Sequence, residues 1–136
     1  MVKIYPQAFF GDSIVSIGSA HLSIASSAVL YGLSVYTVFP ITVGASGILL
    51  AFRLADHFKR LVDSARIIGL DTFEPSWDFE RFVRAVRELV GANTITETAF
   101  VRATVHVDEL VPGTRSRGLH TVMSMFVYEA TPIVPQ

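Results

Sequence analysis

Two hydrophobic periods alternate along this chain, and the switches between them mark its elements. From Thr98 to Asp108 the apolar positions recur at every second residue: Ala99, Val101, Ala103, Val105 and Val107 alternate with Phe100, Arg102, Thr104, His106 and Asp108. A period of two predicts a strand with one wholly apolar face, while the other presents an arginine, a hydroxyl, an imidazole and a carboxylate, as a pocket wall would. A different spacing runs through the middle of the chain. Leu54, Phe58, Leu61, Val62, Ala65 and Ile68 fall three and four residues apart with Asp56, Lys59, Asp63 and Arg66 opposite them, and Gly69 supplies a stop, which predicts an amphipathic helix. Phe79, Phe82, Val83, Val86, Leu89 and Val90 form a second such stripe, with Ser76 or Asp78 to cap its start and Gly91-Ala-Asn93 to end it.

The remaining apolar runs are short and rich in β-branched and aromatic residues. Ile4 to Phe10 and Ser13 to Ile17 flank Gly11-Asp12 and predict a first hairpin. His21 to Ile24 and Ser34 to Thr42 continue in the same style, with Pro40 expected at the end or edge of its strand because it has no amide hydrogen to donate. Val43-Gly-Ala-Ser-Gly47 reads as a turn into Ile48 to Phe52, Val111 to Gly118 as a loop, and His120 to Tyr128 as a last strand before the proline-punctuated Thr131-Pro-Ile-Val-Pro135. The predicted fold is α+β: an antiparallel β-sheet with two α-helices packed on one face.

Composition narrows this to one soluble domain, since 136 residues at 51% hydrophobic and 17% charged can bury a single substantial core. A formal net charge of −1 gives no electrostatic reason to expect nucleic acid or an anionic membrane as partner. Every long apolar run is broken by a charge, proline or glycine before the roughly 18 residues a spanning helix needs, and the first residues lack the order of a signal peptide. A mean hydropathy of +0.48 is therefore expected to reflect a surface covered by a second domain or a partner subunit. With no cysteine, disulfides and thiolate chemistry are absent, which is compatible with the cytosol. His21, His57, His106 and His120 include no i,i+4 pair and no His-Glu-x-x-His spacing, so no metal site is expected.

On residue type alone, Arg60 is a solvated helical arginine. Arg102, mid-strand, is either paired with Asp108 or Glu109, turned outward at an edge, or aimed at a ligand. Tyr31 and Tyr36 are core aromatics or pocket walls. His106 stands without a committed nucleophile or base and is read as a satisfied polar residue rather than a catalytic one.

Three stretches, in order, carry a resemblance. Tyr31-Gly-Leu-Ser-Val-Tyr36, then Phe52-Arg-Leu-Ala-Asp-His57-Phe-Lys-Arg60-Leu-Val-Asp-Ser-Ala-Arg66-Ile-Ile-Gly-Leu70, then Phe100-Val-Arg102 resemble the amino-terminal small domain of the fold-type IV (class IV) pyridoxal-phosphate aminotransferases. Branched-chain members typically show Tyr-Gly-x-Ser-Val-Phe-Glu-Gly, Phe-Arg-x-x-x-His-x-x-Arg-Leu-x-x-Ser-Ala and Tyr-Ile-Arg-Pro. The chain differs at Tyr36-Thr-Val-Phe-Pro40, where the family's acidic residue, glycine and arginine are missing, and at Phe100 and Ala103, which stand for a tyrosine and a proline.

The resemblance implies roles for individual residues. Arg60 would bind the phosphate of pyridoxal 5'-phosphate, for which a planar, permanently charged fork is suited. Arg102 would bind the carboxylate of an amino acid or 2-oxo acid, and Tyr31 and Tyr36 would line the substrate side. The implied activity is amino-group exchange between a branched-chain-like amino acid and a 2-oxo acid; the D-amino-acid transaminase and aminodeoxychorismate lyase branches, or a non-catalytic assembly or binding module on the same scaffold, stay open. In the family, the lysine that holds the cofactor lies in a second domain, and neither Lys3 nor Lys59 matches it. Residues 1–130 are therefore expected to be the small domain and 131–136 the start of an interdomain linker. The lysine-bearing domain is absent from this sequence, so the chain alone is expected to be inactive. A cytoplasmic homodimer or higher oligomer is the expected assembly.

Overall fold

The computed structural model describes residues 2–110 and 115–130. Six strands, β1 (Gln7–Phe10), β2 (Ser13–Ser16), β3 (Ser34–Val43), β4 (Leu49–Ala51), β5 (Ala99–Val107) and β6 (Thr121–Glu129), form one antiparallel sheet in the order β2-β1-β6-β5-β3-β4. Three α-helices accompany it among the described residues: α1 (Ser27–Tyr31), α2 (Leu54–Ile68) and α3 (Phe79–Ala92). The α+β arrangement expected from the two periods is thus observed. The proline-rich 131–136 segment, with the linker expected there, and the first part of the 111–118 loop lie outside the described residues.

The pleat of the central strands decides which side is covered. Ala99, Val101, Ala103, Val105 and Val107 of β5 are all fully buried, together with Phe39 and Ile41 of β3 and Met123, Met125 and Val127 of β6. Phe82 of α3 and Leu61 of α2 reach the same layer without exposed surface, and Phe58 and Phe39 both stack against Phe82. Burying such side chains contributes about 1.5–3 kcal/mol each relative to leaving them in water.

Local chemistry fixes the ends of the helices. The Asp78 carboxylate accepts the Arg81 amide at 2.8 Å and starts α3. At its other end the Asn93 side chain donates to Leu89 and Gln7 carbonyls and accepts the Gln7 amide, which ties α3 to β1. Gly69 ends α2 at φ 78°, and a Cβ there would approach Ser116 Oγ to 2.8 Å, so only glycine fits this stop.

One expectation needs correction. His21 to Ile24 do not form a strand; the Ser23 hydroxyl and carbonyl take the amides of Ala25 and Ser26, a local pattern that competes with a sheet ladder, and Ser26 then caps the short helix α1. Of the two places expected for Pro40, the edge is the one observed: it lies inside β3, paired opposite Phe100 on one flank only. It is tolerated because β4 joins only from Ile41 onward, leaving that flank of β3 open at Pro40.

Candidate functional site

The uncovered face of the sheet is built by cross-strand rows that the register fixes. Tyr36 lies opposite Thr104 and Thr104 opposite Ser124; Val38, Arg102 and Phe126 make the next row, and Pro40, Phe100 and Tyr128 the one after. Aromatic contacts give this face a rigid floor, with Phe100 and Phe126 both against Tyr128 at 5.6 and 5.8 Å.

Arg102 rises from that floor and lies over the Tyr36 ring, its guanidinium carbon 3.9 Å from the ring centre. It forms no hydrogen bond or ion pair among the described residues, so the pairing with Asp108 or Glu109 considered above does not occur. Asp108 instead meets His120 Nδ1 at 2.6 Å, and Glu109 accepts the His120 amide at 2.7 Å. Tyr36 is half exposed. A half-buried, ring-backed guanidinium without a carboxylate is poised for an anionic ligand.

Four residues further along β5, His106 Nε2 meets Ser124 Oγ at 2.7 Å. Burial lowers the pKa of this imidazole, the Arg102 charge lowers it further, and Asp108 opposes them. The neutral form is therefore favoured near pH 7. A pocket of about 440 Å³ opens above the pair, walled by β1, β6, residues 17–22 and Val29 of α1. That wall is held in place by serines: Ser26 and Ser27 are fully buried, Ser26 accepts the Val29 amide, and the Ser27 amide donates to the Glu109 carbonyl. Gly32, at φ 64°, then turns the chain from α1 into β3.

Tyr31 closes α1 and is partly exposed just ahead of this turn. Arg60 sits elsewhere. It is exposed on α2, the helix packed against the covered side of β3, beside a shallow hollow formed with Lys59, Asp63 and Ser64. Its guanidinium has no hydrogen bond or ion pair among the described residues, whereas Lys59 is paired with Asp63 and Arg53 with Asp56. One turn earlier, His57 Nδ1 meets the buried Thr37 hydroxyl at 2.9 Å and fastens α2 to β3. Burial, then the nearby Arg60 charge, holds the His57 imidazole below its ordinary pKa.

The structure thus brings Tyr36 and Arg102 into contact and places Tyr31 near the start of the same strand, but it carries Arg60 on a different side of the sheet. Lys3 stacks over Tyr5 and Lys59 faces solvent with Asp63, so neither lysine lines the open-face pocket. The His106–Ser124 pair was missed from the sequence. Its one signal was Ser124, a polar residue between Met123 and Met125, whose partner depends on the β5–β6 register. No group of His, Asp or Glu among the described residues could hold a metal ion, and no helix among them is long and apolar enough to cross a membrane.

No protein-family model and no curated protein matches the chain. Solved structures do. A branched-chain aminotransferase from Thermoproteus uzoniensis with norvaline superposes with a TM-score of 0.82 at 24% identity, over 92% of this chain and 41% of that one. The Escherichia coli branched-chain amino acid aminotransferase gives 0.81 at 24% identity, over 93% and 40%. The Thermobaculum terrenum branched-chain amino acid aminotransferase, in its PLP-bound holo form, gives 0.77 at 18% identity, over 95% and 41%. The similarity establishes the fold expected for the class IV small domain, and the chain spans about two fifths of the length of these proteins.

Proposed function

We propose that this chain is the small domain of a pyridoxal-phosphate aminotransferase that exchanges an amino group between a branched-chain-like amino acid and a 2-oxo acid. The observation that carries the reading is Arg102, a cation on the open sheet face, backed by Tyr36 and without an acidic partner among the described residues. It holds the substrate carboxylate, and Tyr36 and Tyr31 flank the substrate's body. The solved structures of the same fold are branched-chain aminotransferases, one of them in its PLP form, which supports this choice over the D-amino-acid transaminase and aminodeoxychorismate lyase branches.

The residues fit the cofactor in part. Arg60 is exposed, has no partner among the described residues, and offers a fork of donors to a phosphate group. His57, anchored to Thr37, fixes the turn of α2 from which Arg60 projects. Pyridoxal phosphate, when bound, supplies the electron sink for amino-group exchange. The lysine that holds it comes from another segment or another domain, because Lys59 is engaged with Asp63 and Lys3 with Tyr5. The setting is the cytosol, and the assembly is a homodimer or higher oligomer that covers the exposed Ile48, Leu50 and Phe52.

Calorimetric titration of the chain with pyruvate and with pyridoxamine 5'-phosphate tests the proposal. Binding of both, with pyruvate lost in Arg102→Ala, supports it. Binding of neither would assign the chain to the rival class, a scaffold without chemistry.

A further inference from the structure

Two hollows meet at Asp12 and Arg81, where α3 comes against the first hairpin. The larger, of about 250 Å³, is lined by Asp12 in the β1–β2 turn, by Ser76, Trp77 and Arg81 around the start of α3, and by His120 just ahead of β6. The smaller, of about 170 Å³, shares Asp12 and Arg81 and adds Arg84 and Glu88. Neither is lined by Tyr36, Arg60 or Arg102, so both are separate from the residues discussed above.

Arg81 is fixed in place without being neutralised. Its guanidinium carbon lies 4.0 Å from the centre of the buried Trp77 ring, Phe9 packs edge-on against the same ring, and Nη1 donates to the Ser76 carbonyl. No carboxylate pairs with it among the described residues. The Asp12 carboxylate across the hollow likewise has no hydrogen bond or ion pair among them. His120 is oriented by Asp108, which meets Nδ1 at 2.6 Å and leaves Nε2 free of a partner among the described residues. Charges of both signs therefore line one concavity without pairing. A bare anion would meet Asp12, with Asp108 and Glu109 beside His120, and a bare cation would meet Arg81 and Arg84. A ligand carrying one charge of each sign satisfies the groups that either would oppose.

We propose that this hollow binds a small zwitterion, an α-amino acid whose ammonium is held by Asp12 and whose carboxylate is held by Arg81 and His120 Nε2. The inference does not rest on the carboxylate role of Arg102, since the two places share no residue. The bound molecule spans the β1–β2 turn, α3 and the start of β6, so it stabilises the folded chain by mass action.

The test uses the full 136-residue chain carrying Arg102→Ala, which removes the cation of the open face, and follows the His120 ring by NMR and the Tm by thermal unfolding. The probes are L-serine, 3-hydroxypropionate, which lacks the ammonium, and ethanolamine, which lacks the carboxylate. L-Serine is expected to move the His120 ring signals and raise the Tm, and each of the other two to bind roughly tenfold more weakly, the loss of one charge-assisted contact. Asp12→Asn should bring L-serine down to the level of 3-hydroxypropionate, and Arg81→Gln to that of ethanolamine. Asparagine suits the turn and glutamine the helix, so both variants are expected to unfold at the parent's urea midpoint when no ligand is present. Binding of 3-hydroxypropionate or ethanolamine as tight as that of L-serine overturns the proposal, because the hollow then reads only one charge. L-Serine binding untouched by Asp12→Asn, or His120 signals indifferent to L-serine, overturns it as well.

Discussion

The Arg102 guanidinium carbon and the centre of the Tyr36 ring are 3.9 Å apart, across two adjacent strands. The ring holds the cation in place without neutralising it, as an acidic partner would. Tyr36→Phe keeps the aromatic face, so carboxylate binding should be unchanged. Tyr36→Leu removes the ring's attraction, about 0.5–1 kcal/mol at such a half-exposed site, and should weaken 2-oxo acid binding by roughly two- to fivefold in calorimetry. Equal binding by both variants would show that the stack has no part in holding Arg102.

Arg60 is exposed and makes no hydrogen bond or ion pair among the described residues, so its removal touches recognition and not folding. Arg60→Ala should lower the affinity for pyridoxamine 5'-phosphate by roughly ten- to a hundredfold, the worth of a charge-assisted contact to phosphate. Its unfolding midpoint in urea should correspond to wild type within about 0.5 kcal/mol. A matching loss in Lys59→Gln would instead indicate that the hollow attracts anions without geometric preference.

His57 and His106 give the chain an acid limit with a definite sign. Burial first, and then Arg60 and Arg102 respectively, depress their folded-state pKa values below the 6.5 of a free imidazole. The unfolded chain therefore takes up more protons than the folded chain as pH falls. This stability is present above about pH 6.5 and lost as the solution is acidified through the folded values. Thermal unfolding should show a Tm that falls from about pH 7.5 to about pH 5. The His57→Gln, His106→Gln double variant should show a shallower fall.

Phe82 and Ile67 measure the core against the surface. Phe82 is fully buried between Phe39 and Phe58, whereas Ile67 is 83% exposed on α2. Phe82→Ala should destabilise by about 3–5 kcal/mol, with a cavity left between α3 and the sheet. Ile67→Ala should stay within about 0.5 kcal/mol in the same denaturation experiment.

Period alone located most of the elements. The alternation from Ala99 to Val107 named β5 and its buried face, and the stripes through Leu61 and Phe82 named both long helices, because each signal is a repeat of local geometry. Helix α1 escaped notice because five residues hold no full hydrophobic period; only Ser26 marked its start. Arg60, Arg102, Tyr31 and Tyr36 could be chosen by motif, but their grouping could not. That Arg102 meets Tyr36 while Arg60 stands on another side follows from β3–β5 pairing and from α2 packing on β3, which are long-range relations. The His106–Ser124 bond is of the same kind, joining residues 18 apart.

The strand order has a consequence for synthesis. The last strand in the sequence, β6, lies between β1 and β5, and it alone joins the first hairpin to the other strands. On the ribosome β1 and β2 must wait for more than a hundred residues of later chain before their neighbour exists, so the sheet closes only once β6 has been made. Until then the apolar side of β5 has no strand on its β6 flank. A pause or truncation before Thr121 would release a nascent chain with an open sheet edge, the state from which aggregation starts, whereas the same interruption after Glu129 would leave the sheet complete.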